Sequence, residues 1–151
     1  KVVGPTGIVY AIEREASVID VLMETTRAAE LDNVRPIISG KPAIDLPAES
    51  VNVILLYDVL HYFTEDERKK LYRSANIVLK DDGFLSVFPK HYKSNSPMWY
   101  LAELGLIDII NEIEKCHFVL RDDNEKRLIH DDIIEKGIIL NFKKYKASDE
   151  V

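Results

Sequence analysis

The sequence predicts an α/β fold, a layered and mostly parallel sheet with helices on both faces. Three neighbouring stretches carry that expectation. Val51–Tyr57 reads VNVILLY, an apolar run interrupted only by Asn52. Such a run suits a strand covered on both faces of a parallel sheet. Thr64 and Glu67 then have the spacing of a capping box, in which a hydroxyl accepts from a free amide and a carboxylate reaches back. Leu71, Tyr72, Ala75, Val78 and Leu79 follow at helical spacing, so one face of that helix is apolar. Asp81-Asp82-Gly83 is expected to stop the helix, and residues 84–88 read as a second short strand. Strand, helix, strand makes a βαβ unit with a right-handed crossover. Ligands bind such sheets beyond the carboxyl ends of the strands. Tyr57, Asp58, His61, Lys90, His91 and Tyr92 should therefore share one rim.

Composition bounds the remaining choices. At 151 residues and 46% apolar content the chain has the size and core of one domain, and a net charge of −6 argues against coating a phosphate backbone. The basic cluster Lys143, Lys144 and Lys146 reads as the solvated end of an edge strand. No apolar run approaches the roughly 20 residues that span a membrane, and no signal peptide is evident. Neither nucleic acid nor membrane is expected as a partner. The single cysteine, Cys116, rules out an internal disulfide. It is expected half-buried near a helix end, in a protein of a reducing, cytoplasmic compartment.

In chain order, residues 1–3 lead into the turn cluster Gly4-Pro5-Thr6-Gly7, and residues 8–12 form a short β-rich run ending at Glu13. Ser17 is expected to cap a helix, with Val18, Val21, Leu22 and Thr25 on its inner face. Val34–Ile38 is the next strand, placed at or near an edge because Pro36 cannot donate to a ladder. Residues 40–47 form a loop before the central βαβ unit. Past Lys90 the chain is polar and irregular to Pro97, which opens a short apolar turn around Met98, Trp99, Tyr100 and Leu101. Residues 107–115 read as a helix with Ile109, Ile110 and Ile113 inward. Residues 118–120 and 127–129 read as short strands flanking a turn at Asp122-Asp123-Asn124, and residues 138–142 as the last strand. No repeat or interdomain linker is visible, so residues 1–146 are expected to form one domain and 147–151 a tail.

Taken together, GPTGIVYAIERE, SGKPAIDLPAESVNVILLYDVLHYF and LKDDGFLSVF resemble the class I S-adenosylmethionine-dependent methyltransferases, closest to the small-molecule branch that serves quinone biosynthesis. The resemblance runs over about residues 2–142. It implies a Rossmann-like sheet of strand order 3-2-1-4-5-7-6 with the seventh strand antiparallel. The family's first strand and its acidic-x-Gly-x-Gly-x-Gly loop are not found in these 151 residues. The expectation is therefore a methyltransferase domain truncated at its N-terminus, lacking the central strand.

The resemblance also implies roles. Glu13, with Arg14 beside it, stands where an acidic residue accepts from both ribose hydroxyls of S-adenosylmethionine. A carboxylate suits this because it only accepts; the alternative is a solvated carboxylate after a strand. Gly40, Lys41 and Pro42 occupy the loop where many members carry an aspartate for the adenine amino group, and Lys41 cannot replace that acceptor. The backbone of Tyr57, Asp58 and Val59 would line the methionine end. His61 is a candidate catalytic base, since its pKa suits proton removal near neutrality; the equal alternative is a hydrogen bond to the strand end or the cofactor, because in-line methyl transfer rests on positioning and needs no universal base. Leu60 reads as packing, and Tyr62 and Phe63 as core or pocket wall, core being the commoner use. His91, Tyr92, Trp99 and Tyr100 fall where the family varies to fit its acceptor, although an aromatic core cluster is the commoner use of such residues. His130-Asp131-Asp132 gives no metal site, because adjacent strand positions face opposite ways, and no metal is expected.

The leading expectation is methyl transfer from S-adenosylmethionine to a small-molecule acceptor. The rival is a non-catalytic remnant that works through self-association. A nicotinamide dehydrogenase is disfavoured because the chain has no G-x-G-x-x-G. Loss of the central strand would leave two bare strand edges, so either the second strand moves across to the fourth or the chain forms a homo-oligomer.

Overall fold

The computed structural model describes residues 3–130 and 133–145, with the side chain of His130 excepted. Asp131, Asp132 and the 147–151 tail lie outside the described residues. The chain divides into two compact units, residues 1–41 and 42–151.

The first unit is a βαβ element. Strands β1 (Val9–Glu13) and β2 (Val34–Ile38) pair in parallel, with Glu13 opposite Ile38, and helix α1 (Ala16–Ala28) connects them. Both strands lie within a residue of their expected places. The helix cap does not. Glu15 rather than Ser17 is the N-cap, without a side-chain cap bond. The reason lies in Glu13, whose Oε1 accepts from the amides of Arg14 at 2.7 Å and Glu15 at 3.1 Å. That carboxylate turns the chain into the helix earlier than Ser17 could.

The second unit is a four-stranded sheet of order β3-β4-β6-β5 with two helices. Strand β3 (Val51–Tyr57) pairs in parallel with β4 (Leu79–Phe88), and β4 pairs antiparallel with β6 (Ile133–Lys144), which forms a long antiparallel ladder with β5 (Phe118–His130). This is the expected 4-5-7-6 portion of the sheet, antiparallel seventh strand included. Helix α2 (Glu65–Val78) opens on the anticipated capping box: Glu67 Oε2 accepts from the Thr64 amide at 2.9 Å and Thr64 Oγ1 from the Glu67 amide at 3.4 Å. Leu71, Tyr72, Ala75, Val78 and Leu79 are all buried, and with Ile54, Leu56, Leu85, Val87, Leu140 and Phe142 they form the core. Helix α3 (Leu106–Glu114) adds Ile109 and Ile113 to it.

Two expected turns are absent. Helix α2 ends at Val78, and Asp81-Asp82-Gly83 lies inside β4. Leu79 already pairs with Val51, so the strand begins at the helix end. Gly83 is there for close approach: a Cβ on it would stand 2.7 Å from the Asn52 carbonyl oxygen. Likewise Asp122-Asp123-Asn124 makes no turn, because β5 runs through it in register with Asn141, Leu140 and Ile139 of β6. Ladder pairing overrides local turn preference there, and the strain shows only as a register shift between Leu120 and Asp122.

Strands β1 and β2 form a two-stranded sheet in the first unit, and β3 stands first in the order β3-β4-β6-β5 of the second. Strand β3 is thus an edge of its sheet. Ile54 and Leu56 face the core, whereas Val53 and Leu55 are 43% and 61% exposed.

Candidate functional site

In the second unit, the carboxyl ends of β3 and β4 bring several expected residues together. The Asp58 amide donates to the Phe88 carbonyl at 3.0 Å, which holds the two strand ends side by side. Tyr57 stacks edge-on against Phe88, and its hydroxyl lies 2.9 Å from Ser86 Oγ. Beyond Asp58 the chain makes a 3-10 turn, Leu60–Tyr62. Leu60 packs in the core as expected, and this anchors the turn that carries His61.

His61 is only 2% exposed. Its ring lies 4.1 Å from that of Tyr62, 4.6 Å from His91 and 5.3 Å from Trp99, centre to centre. Its Nδ1 is 3.5 Å from Asp58 Oδ1, and His91 Nε2 is 3.7 Å from the same oxygen. His91 Nδ1 lies 2.8 Å from the Ser96 carbonyl oxygen. Asp58, His91, Ser96 and Trp99 all have positive φ, between 45° and 69°. Left-handed backbone at non-glycine residues is uncommon and gathers at functional positions.

Trp99 sits in a second 3-10 turn, Trp99–Leu101, and is 60% exposed. Tyr100 and Tyr62 are exposed as well, so these rings are not the core cluster that their type favours; Tyr92 and Phe63 do pack partly against the core. An open aromatic wall thus borders two buried histidines and the half-buried Asp58.

Two ion pairs, one buried and one half-buried, hold this rim. Arg68 donates from Nε and Nη2 to the two oxygens of Glu112 at 2.7 and 2.8 Å. Its Nη1 reaches the carbonyls of Phe63 at 2.7 Å and Tyr100 at 3.4 Å, tying the turns that carry His61 and Trp99 to α2 and α3. Burial works against the charge on Arg68, yet the hydrogen bonds and charge of Glu112 carry its pKa above the ordinary value. Lys90, at the end of β4, pairs with both carboxylate oxygens of Glu135 on β6 at 2.7 and 2.8 Å. Sequence reasoning missed Arg68 and Glu112. The available signal was a charge on each helix's apolar face: Arg68 precedes Leu71 and Tyr72 by helical spacing, and Glu112 lies between Ile109 and Ile113.

In the first unit, Glu13 ends β1 with Oε1 taken by two amides, and Arg14 is exposed against Glu15 at 3.2 Å. Lys41 is exposed, its amide donating to Ser39 Oγ at 3.3 Å; Gly40 is exposed too, with open space around it. Pro42 opens the second unit, half-buried. Cys116 lies just past α3 and is buried more completely than expected, which pushes its thiol pKa up. No helix among the described residues is long and apolar enough to cross a membrane.

No family model and no curated protein matches the chain. Solved structures do. A SAM-dependent methyltransferase from Aquifex aeolicus superimposes with a TM-score of 0.73 at 18% identity, over 92% of this chain and 70% of that one. One from Methanosarcina mazei gives a TM-score of 0.72 at 11% identity, over 91% and 82%. The [4+2]-cyclase SpnF gives 0.69 at 11% identity, over 92% and 66%. The chain therefore has the Rossmann-like α/β fold of the SAM-dependent methyltransferases, a fold that the cyclase shares.

Proposed function

We propose that this protein transfers a methyl group from S-adenosylmethionine to a small-molecule acceptor. The observation that carries the reading is the methyltransferase fold over nine-tenths of the chain with Glu13 at the end of β1. The fit of Glu13 to the cofactor is specific. Two backbone amides fix one carboxylate oxygen, and Oε2 is left to accept from ribose hydroxyls. The Gly40-Lys41 segment offers no acidic side chain for the adenine amino group, so backbone groups serve there. In the second unit we assign the backbone of Tyr57, Asp58 and Val59 to the methionine end.

When bound, S-adenosylmethionine supplies an activated methyl group. The chain's own contribution is chiefly positioning, because in-line displacement depends on alignment. Trp99 and Tyr100 offer exposed rings to a planar acceptor, and His91 and Tyr92 are the further residues we assign to it. His61 is the candidate proton acceptor, through Nε2, with Nδ1 facing Asp58. In the full gene product, His61→Ala should lower turnover of labelled S-adenosylmethionine more than cofactor affinity. Unchanged turnover removes His61 from that role. No methyl transfer to any of a panel of phenols, quinols, amines and thiols would count against the reaction itself.

A second reading, a non-catalytic remnant acting through self-association, is favoured by the bare edge of β3 and the exposed side chains of Val53 and Leu55.

A further inference from the structure

The Asp58, His61 and His91 group has a use that no methyl transfer requires. One ligating atom from each residue lies within 4.8 Å of the other two, and both histidines are buried. The Ser96 carbonyl can only accept, so His91 Nδ1 carries a proton. His91 Nε2 faces the Asp58 carboxylate, 3.7 Å away. His61 Nδ1 approaches the same oxygen, at 3.5 Å, so two imidazoles and one carboxylate converge on one point. Metal-binding histidines commonly donate their second nitrogen to a backbone carbonyl, which fixes the ring and its tautomer.

We infer that Asp58, His61 and His91 form a binding site for a divalent cation of the zinc class. Metal bonds of about 2.0–2.1 Å in tetrahedral array set ligand atoms roughly 3.4 Å apart, close to the two edges that meet at Asp58 Oδ1. A modest ring movement closes the third. Two imidazoles with one carboxylate select zinc, cobalt, nickel or iron over magnesium and calcium, and three protein ligands leave a position open to an acceptor oxygen or water. A cation on Nδ1 leaves the proton on His61 Nε2. In the cation-loaded protein His61 is therefore a ligand, and the proton-acceptor role given to it above belongs to the cation-free protein. The cation site does not depend on methyl transfer.

The test uses a built-in reporter. Trp99 is the only tryptophan, and its ring lies 5.3 Å from that of His61. Titrating the metal-stripped 151-residue chain with cobalt(II) chloride should quench Trp99 emission saturably at one equivalent, and zinc(II) should reverse it. Asp58→Asn and His91→Gln should each weaken cobalt binding at least tenfold, with circular dichroism confirming the fold. X-ray absorption of the wild-type cobalt form needs no variant and should show two imidazoles. Non-saturable quenching, equal affinity in both folded variants, or fewer than two imidazoles overturns the site.

Discussion

Removing Glu112 should destabilise the second unit far more than an ordinary surface change would. Arg68 is 2% exposed and Glu112 9%, and they share two short hydrogen bonds. Glu112→Ala leaves a guanidinium buried without its carboxylate, which costs about 3–5 kcal/mol. Arg68→Met strands the carboxylate and also takes the donor from the Phe63 carbonyl, so its cost should be similar or larger. The pair Arg68→Met with Glu112→Leu behaves differently. Replacing both charges by apolar groups is close to neutral in itself, and the orphaned Phe63 carbonyl then dominates at about 1–3 kcal/mol. The double variant should therefore be more stable than either single one. Urea unfolding followed by far-ultraviolet circular dichroism reads this directly. With a slope of about 2 kcal/mol per molar, Glu112→Ala should lower the midpoint by roughly 2 M. Because Arg68 also ties down the turns bearing His61 and Trp99, the single variants should shift Trp99 emission before unfolding begins. Additive single effects, or a Glu112→Ala cost below about 1 kcal/mol, would show that the pair is not a coupled clamp.

Four further outcomes are expected. Thr64→Ala removes the hydroxyl that caps α2 and should cost about 1 kcal/mol in the same urea assay. The Glu67 carboxyl is held below the usual range by the Thr64 amide and hydroxyl, so its stabilising share is present above the unfolded carboxylate pKa and lost as pH falls through its lowered folded value; Glu67→Gln should flatten acid unfolding in that window. Burial pushes the Cys116 thiol up, so its share of stability is complete below the unfolded thiol pKa of about 8.5 and declines as pH rises toward the folded value; thiol-reagent labelling at pH 8 should be slow in the native chain and fast in urea. The open β3 edge should make the chain a homo-oligomer, and light scattering that gives a well-folded 17.3 kDa monomer would oppose this.

The sheet was legible because its strands are apolar runs bounded by polar residues. Val34–Ile38 and Val51–Tyr57 fall where the sequence places them, and the order β3-β4-β6-β5 follows the resemblance. What failed was punctuation. Asp81-Asp82-Gly83 and Asp122-Asp123-Asn124 carry turn chemistry but lie within strands: the first is taken up in the register shift between the Val51–Leu79 and Val53–Phe84 pairs, and the second is held by its ladder with β6. The rim was legible in part. His61, Asp58 and His91 could be placed at neighbouring strand ends, but their approach to one oxygen depends on left-handed backbone at Asp58 and His91, which no spacing rule foretells. Trp99 was weighed as core because large rings usually are, yet its turn carries it outward. The Arg68–Glu112 clamp joins two helices far apart in sequence, and only the charge on each apolar face hinted at it.

Calorimetric titration with S-adenosylhomocysteine tests the central claim most directly, run on this chain and on the full gene product. Glycine-rich loops at helix N-termini supply the amides that hold such ligands, and none is present in these 151 residues. The account predicts weak or no binding by this chain and stoichiometric binding by a gene product that supplies the loop. Glu13→Ala should reduce the latter by about 1.5–3 kcal/mol, the worth of a charge-assisted hydrogen bond. Tight binding by the isolated chain, or a loop-bearing product that ignores both S-adenosylhomocysteine and the loss of Glu13, would contradict it.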